Sequence, residues 1–262
     1  MTRLKVDGVT IRFGGLTALD GVSFSVSPGE IFALIGPNGA GKTTLFNGIS
    51  GVYRLTEGRV AIDDEDIVGL APFQLALRGM TRTFQNLQIF FRLTAIENVM
   101  VGRHLHERRN LVAHFLGFPS VRRQNQASRS RAGELLAFVG LGEVADQLAG
   151  ELPYGMLKRL EIARALAVEP RILLLDEPVA GCNAAEIAEI GRVIRKIADG
   201  GVSVVLVEHD IHLIMTLADR IHVLDRGKTL AEGTPAEIRS NPAVIAAYLG
   251  TPPVVEVEHA VG

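Results

Sequence analysis

A single cysteine, Cys182, is the whole thiol complement of this 262-residue chain, and it cannot form an internal disulfide. Long apolar runs are also missing. Runs such as "VSVVLV" at 202–207 and "ILLLD" from Ile172 fall far short of the roughly 20 residues that cross a bilayer. If the protein works at a membrane, something else spans it. Net charge is nearly absent, at a formal −2, so no global field draws the chain to nucleic acid or anionic lipid. Any charge-driven partner must be met by a local patch. The opening "MTRLKVDGVTIRF" lacks the apolar core of a secretion signal, and with the lone thiol this points to the cytosol. What remains is a length that buries a sizeable core, as one large domain or a core with a smaller lobe.

Residues 4–27, "LKVDGVTIRFGGLTALDGVSFSVS", alternate apolar and polar positions around glycine turns, as half-buried antiparallel strands do. "SPGEIFALIG" then gives a turn and a continuous apolar strand, followed by a glycine loop and the helix "KTTLFNGISG". Strand and turn signals continue to about residue 68. From 72 to 150 the period is mostly helical, broken at "GFPS", 117–120. From 169 onward strands and helices alternate: "RILLLDEP", "AAEIAEIGRVIRKIA", "VSVVLVEHD", a short helix, then "RIHVLDRGKTLAEG". Buried strands alternating with helices indicate a mainly parallel sheet covered on both faces. Only "TPPVVEVEHAVG", 251–262, reads as a loose tail.

Residues 103–131 carry seven arginines against one acid. They form either a solvated helical surface or a patch for lipid phosphates or a partner's acidic loop. Few aromatics interleave these charges, so the stacking platforms of a nucleic-acid surface are lacking.

The stretch "GPNGAGKTT", Gly36, Pro37, Asn38, Gly39, Ala40, Gly41, Lys42, Thr43 and Thr44, fits G-x-x-x-x-G-K-[ST] between a predicted strand and a predicted helix. Glycines let successive N–H groups turn toward phosphate oxygens, and the helix N-terminus adds favourable partial charge. Lys42 reaches the terminal phosphates in this reading, and the Thr43 hydroxyl ligates Mg2+. "ILLLDEP" places two carboxylates at the end of an apolar strand. Strand alternation lets Asp176 face Mg2+ while Glu177 sits by the terminal phosphate as general base or water-positioner. The plainer alternative is a strand-end pair that starts the following helix. His209 in "VLVEHD" follows another buried strand on the same sheet edge, where ligands gather in such folds. A lone histidine is more often structural, but this position favours function.

Taken in order along the chain, these residues resemble the ATP-binding subunit of ABC transporters. Gln85 in "TFQ" matches the Q-loop, "LPYGM" the signature loop, "AGCN" the D-loop and His209 the switch histidine. Phe13 matches the aromatic that stacks on adenine, an exposed packing residue being the alternative. The resemblance implies an α/β fold with a RecA-like P-loop core, an antiparallel β subdomain and a helical insert subdomain. On that reading the core with its β subdomain takes 1–95 and 160–250, the helical part 96–159. It also implies ATP and Mg2+ as cofactors, with Gln85 joining Thr43 and Asp176 at the metal and Glu177 and His209 at the reacting phosphate. Two such ATPases, alike or different, dimerise head to tail, and the Tyr154 and Gly155 amides of one meet the nucleotide of the other. "FGGLTALDGVSF", "GMTRTFQN", "ENVMVGRHLH" and "EGTPAEIRSNPAVIAAYLG" further resemble the ATPases of branched-chain amino acid importers. That implies transmembrane permease subunits, an external solute-binding protein as an indirect partner, no nucleic acid, and a peripheral place on the cytoplasmic face of the membrane.

Similar cassettes serve urea uptake or lipopolysaccharide export, so those substrates stay open. A soluble ABC ATPase acting on nucleic acid is disfavoured, because there is one cassette and no Cys-x-x-Cys hook. A nucleotide-binding regulatory module is supported only by the signature loop, which departs from the family pattern. Pro153 stands where serine is usual and Met156 where glutamine is. In the D-loop Asn183 replaces a common aspartate, and Cys182 reads as a small interface hydrophobe.

Overall fold

The computed structural model describes residues 3–83, 87–106 and 119–249. Two sheets carry the architecture. In the first, β1 (Leu4–Phe13) pairs antiparallel with β2 (Leu16–Val26) and with β4 (Glu57–Ile62), and β5 (Glu65–Asp66) closes the edge. Leu4, Val6, Val9 and Ile11 bury one side of β1, which is the alternation visible in the sequence. The second sheet runs β10-β9-β3-β8-β7-β6, where β3 is Ile31–Ile35, β6 Met80–Arg82, β7 Ile172–Asp176, β8 Ser203–Val207, β9 Arg220–Asp225 and β10 Lys228–Gly233. Its pairings are parallel except for the β9–β10 hairpin. Every residue of β3, β7 and β8 is buried, because both faces of this sheet are covered.

One face packs against helix α1 (Lys42–Ile49) and the first sheet, with Phe32, Leu34, Leu45, Phe46, Val60 and Leu174 in one apolar cluster. The other face packs against α6 (Ala184–Asp199). The same cluster extends into a helical lobe made by α3 (Ala95–Gly102), α4 (Pro119–Phe138) and α5 (Tyr154–Leu166), where Val99, Leu136 and Leu160 meet. Helix α3 starts at a capping box: the Thr94 hydroxyl accepts from the Glu97 amide at 3.3 Å, and the Glu97 carboxylate accepts from the Thr94 amide at 2.8 Å. Short helices α2 (Pro72–Leu77), α7 (Ile211–Leu217), α8 (Pro235–Ser240) and α9 (Pro242–Leu249) complete the described chain. No described helix is long and apolar enough to cross a membrane.

The stretch expected to be mostly helical, 72–150, contains a strand that its period conceals. Met80–Arg82 leaves a turn at Gly79 and extends the second sheet, Met80 pairing with Ile172 and Arg82 with Leu174. Three residues are too few to show a period of two against the flanking helices. The expected break at 117–120 lies partly outside the described residues, and Pro119 and Ser120 are helical. Within the arginine-rich segment, Arg103 pairs with Glu169 at 3.1 Å, Arg129 with Asp146 at 2.6 Å and Arg131 with Glu134 at 2.7 Å. Those pairings fit a solvated surface, while 107–118 lie outside the description.

Register sets up the site. Leu34 lies opposite Val207, and Val207 opposite Asp176, so β3, β7 and β8 end at one edge. The glycine loop, both carboxylates and His209 leave the sheet there, where open α/β sheets bind ligands.

Candidate nucleotide site

The loop after β3 needs its glycines. Gly36 has φ +151, and a Cβ there would run into the Leu224 carbonyl oxygen. Gly41, at φ +103, is the residue before α1 and turns the chain into the helix. Lys42, buried at the helix start, arches back over the loop, donating to the Gly36 carbonyl at 2.6 Å and the Pro37 carbonyl at 3.1 Å. Burial pushes its ammonium below the ordinary lysine value, and the charge of Glu177 pulls the other way. Thr43 is exposed at the mouth, as are Asn38 and Gly39, while Ala40 is buried beneath them and Thr44 half-buried. From the far end of the chain, Tyr248 on α9 reaches this loop. Its phenol is pushed up by burial, and the Gly36 amide acts the other way.

The adjacent carboxylates point apart. Asp176 turns into the protein, its side chain 6% exposed, and accepts from the Arg82 guanidinium at 2.7 Å. Its amide donates to the Thr83 hydroxyl at 3.3 Å. Glu177 leaves the strand with φ +49, a left-handed conformation that a side chain other than glycine adopts at a cost. Its amide donates to Val207 at 2.8 Å, and its carboxylate lies 2.9 Å from Nε2 of His209. Glu208, buried between the two strand ends, accepts from the amides of Val179 and His209, both at 2.9 Å. Burial raises its carboxyl above the usual range against the pull of these amides.

On the helical side, Pro153 has φ −56 and ψ 152 and sits immediately before α5, as its N-cap rather than inside its first turn. Its carbonyl accepts from Met156 at 3.0 Å and Leu157 at 3.1 Å, so the helix starts without loss of a bond. The Glu186 side chain packs directly over Gly155, so that a Cβ there would displace its carboxylate. The Tyr154 ring covers the ammonium of buried Lys158 at 5.7 Å, and that ammonium donates to the Glu177 carbonyl at 3.3 Å. Asn183 caps α6, accepting from Ala185 at 3.0 Å and Glu186 at 3.1 Å. Burial, then the nearby Glu186 charge, raises the Cys182 thiol, which makes it a poor nucleophile.

Phe13 ends β1 half-exposed and meets Tyr53 edge to face at 5.4 Å. Gln85 lies outside the described residues. For a metal, the chain offers the Thr43 hydroxyl and the Asp176 carboxylate, and no group of three or more histidine, cysteine or acidic ligands exists among the described residues. Hard oxygen donors that leave places for phosphate and water suit Mg2+.

The ABC transporter family profile matches residues 19–180, and a profile for the branched-chain amino acid ATP-binding cassette transporter matches 228–253. The chain belongs to the ABC transporter family. This cassette is 45% identical to the high-affinity branched-chain amino acid transport ATP-binding protein BraF of Pseudomonas aeruginosa, over 94% of its own length and 97% of that protein's. A nucleotide-free ATP-binding cassette from an ABC transporter superposes with a TM-score of 0.83 at 32% identity, covering 95% of this chain and 100% of the other. A dimeric post-hydrolysis state of the cassette MJ0796, bound to ADP and Pi, gives 0.73 at 29% identity, covering 88% and 98%.

The cassette therefore holds ATP, and its sheets and helical lobe have the architecture expected of an ABC ATPase. Its phosphate loop, Asp176, Glu177 and His209 meet at one sheet edge. Pro153 to Gly155 sit at the start of α5, joined to that edge through Lys158, and Phe13 stands on the first sheet. Sequence reading missed Arg82, Lys158, Glu208 and Tyr248. Glu208 carried a faint signal, a carboxylate directly after the apolar run "VSVVLV", whereas the other three act through partners distant in the chain.

Beside the site, the core and the helical lobe enclose an apolar groove of about 550 Å3, walled by Val52, Leu75, Arg82, Phe90, Val101 and Arg164.

Proposed function

We propose that this cassette is an ATP-hydrolysing subunit of an importer of branched-chain or similar amino acids. The observation that carries the reading is similarity along nearly the whole chain to BraF, including a C-terminal segment, 228–253, that matches the narrower family. Lys42 and the loop amides cradle the phosphates, and Thr43, Asp176 and Gln85 would hold Mg2+. Mg2+ bound there neutralises charge on the transferred phosphoryl group. Glu177 takes a proton from water as its oxygen bonds the γ-phosphorus and the bond to ADP breaks. His209, held against that carboxylate, keeps it aimed. Phe13 stacks on adenine.

In this reading two cassettes close head to tail, so the loop from Pro153 to Gly155 serves the partner's nucleotide with its amides and the helix dipole. That a related cassette forms a dimer in a post-hydrolysis state supports the pairing of two cassettes. Closure is coupled through the Q-loop to permeases, which seat on the apolar groove at the cytoplasmic face of the membrane. An external binding protein delivers the solute.

Purification of the tagged chain from native membranes tests this. Co-elution of permeases and a second cassette, with loss of leucine uptake on deletion, is the expected result. Unimpaired leucine uptake with lost urea uptake, or with a lipopolysaccharide export defect, would transfer the cassette to those systems.

A further inference from the structure

Arg82 is gripped by several groups. Its guanidinium donates to Asn47 at 2.6 Å and Ser50 at 2.8 Å, both at the C-terminal end of the phosphate-loop helix, and lies over the Phe46 ring at 4.9 Å. The guanidinium also donates to the Asp176 carboxylate at 2.7 Å, the side chains being 10% and 6% exposed. One carboxylate oxygen is thus taken by a buried cation whose place is fixed largely by other groups. A carboxylate left alone at this depth is costly, so the pair stabilises the site in its metal-free form.

We propose that Arg82 is the resting counter-ion of Asp176 and that Mg2+ enters in competition with it. This rests on the reading of Asp176 as a metal-side carboxylate. Two cations that share one anion weaken each other's hold on it. Arg82 is accordingly a positioning residue. It keeps Asp176 aimed while no nucleotide is present, and it holds the metal affinity below what the carboxylate alone would give. A site that takes up and releases metal with each nucleotide gains both readiness and release from such a brake.

The test is a Mg2+ titration of the binding of a fluorescent, non-hydrolysable ATP analogue to the full chain, with thermal melting alongside. Arg82→Met and Arg82→Gln, which remove the charge, should lower the Mg2+ concentration at half-saturation by about three- to tenfold. Arg82→Lys keeps the charge and should stay within about twofold of the parent. The neutral variants should also melt earlier without metal and recover with Mg2+ and nucleotide. Arg82→Gln retains a donor to Asp176 and carries the test should Arg82→Met fail to fold. A loosened site binds metal more weakly, so damage cannot imitate the expected tightening. Unchanged or raised half-saturation in the neutral variants overturns the proposal. If the parent chain binds the analogue with no dependence on Mg2+, the reading of Asp176 falls, and this proposal with it.

Discussion

Nε2 of His209 lies 2.9 Å from Oε1 of Glu177, joining the ends of neighbouring parallel strands by one side-chain contact. The histidine side chain is 52% exposed, so little packing depends on it. His209→Ala should therefore lower turnover by at least about tenfold, because the carboxylate loses its aim. Nucleotide affinity and melting temperature should stay near those of the parent. Steady-state hydrolysis, equilibrium binding and thermal melting of one preparation check all three.

Lys42 gives a pH signature. Burial depresses its ammonium below 10.5, so around its own titration the folded chain carries fewer protons on Lys42 than the unfolded chain does. Without nucleotide, this group makes stability rise with pH across the window between the depressed value and 10.5. A polyphosphate favours the charged form, so nucleotide affinity is full below that window and falls as pH rises into it. Binding curves across the alkaline range should begin to weaken earlier than an ordinary lysine would dictate. Lys42→Arg should flatten that decline.

Pro153 removes a hydroxyl at the loop that serves the partner's nucleotide. A hydroxyl bonded to a charged phosphate contributes about 1.5–3 kcal/mol, so Pro153→Ser should speed dimer turnover by about ten- to a hundredfold. Nucleotide binding by the isolated chain should not change. Serine is also the better N-cap, which raises helix stability by roughly 1 kcal/mol. Hydrolysis that appears only in the serine variant would contradict the view that the native site is intact.

Glu208 holds the two strand ends together by accepting from Val179 and His209. Glu208→Ala strands those amides and should cost about 1–3 kcal/mol, read from chemical denaturation. Turnover should fall with it, since His209 loses its anchor, while nucleotide affinity changes little.

These residues divide by how far their partners lie along the chain. The phosphate loop, the Asp176–Glu177 pair and His209 were legible because each carries its chemistry in a short stretch beside a strand. The two sheets were legible through their contrasting patterns, alternation in β1 and β2 against unbroken apolar runs in β3, β7 and β8. Strand β6 was hidden by its length of three residues. Arg82 was hidden because its meaning comes from pairing with Asp176, 94 positions away. Tyr248 meets Gly36 only after the whole fold has closed. Pro153 was placed correctly at a helix start, but the structure moves it one position outward, to the N-cap.

The central claim is that Glu177 activates the attacking water. Glu177→Gln keeps the shape of the side chain and removes its basicity. Single-turnover release of phosphate, measured beside ATP binding, tests it most directly. The account predicts parental or tighter ATP binding with phosphate release reduced by about a hundredfold or more. Phosphate release at the parental rate from the glutamine variant would contradict it.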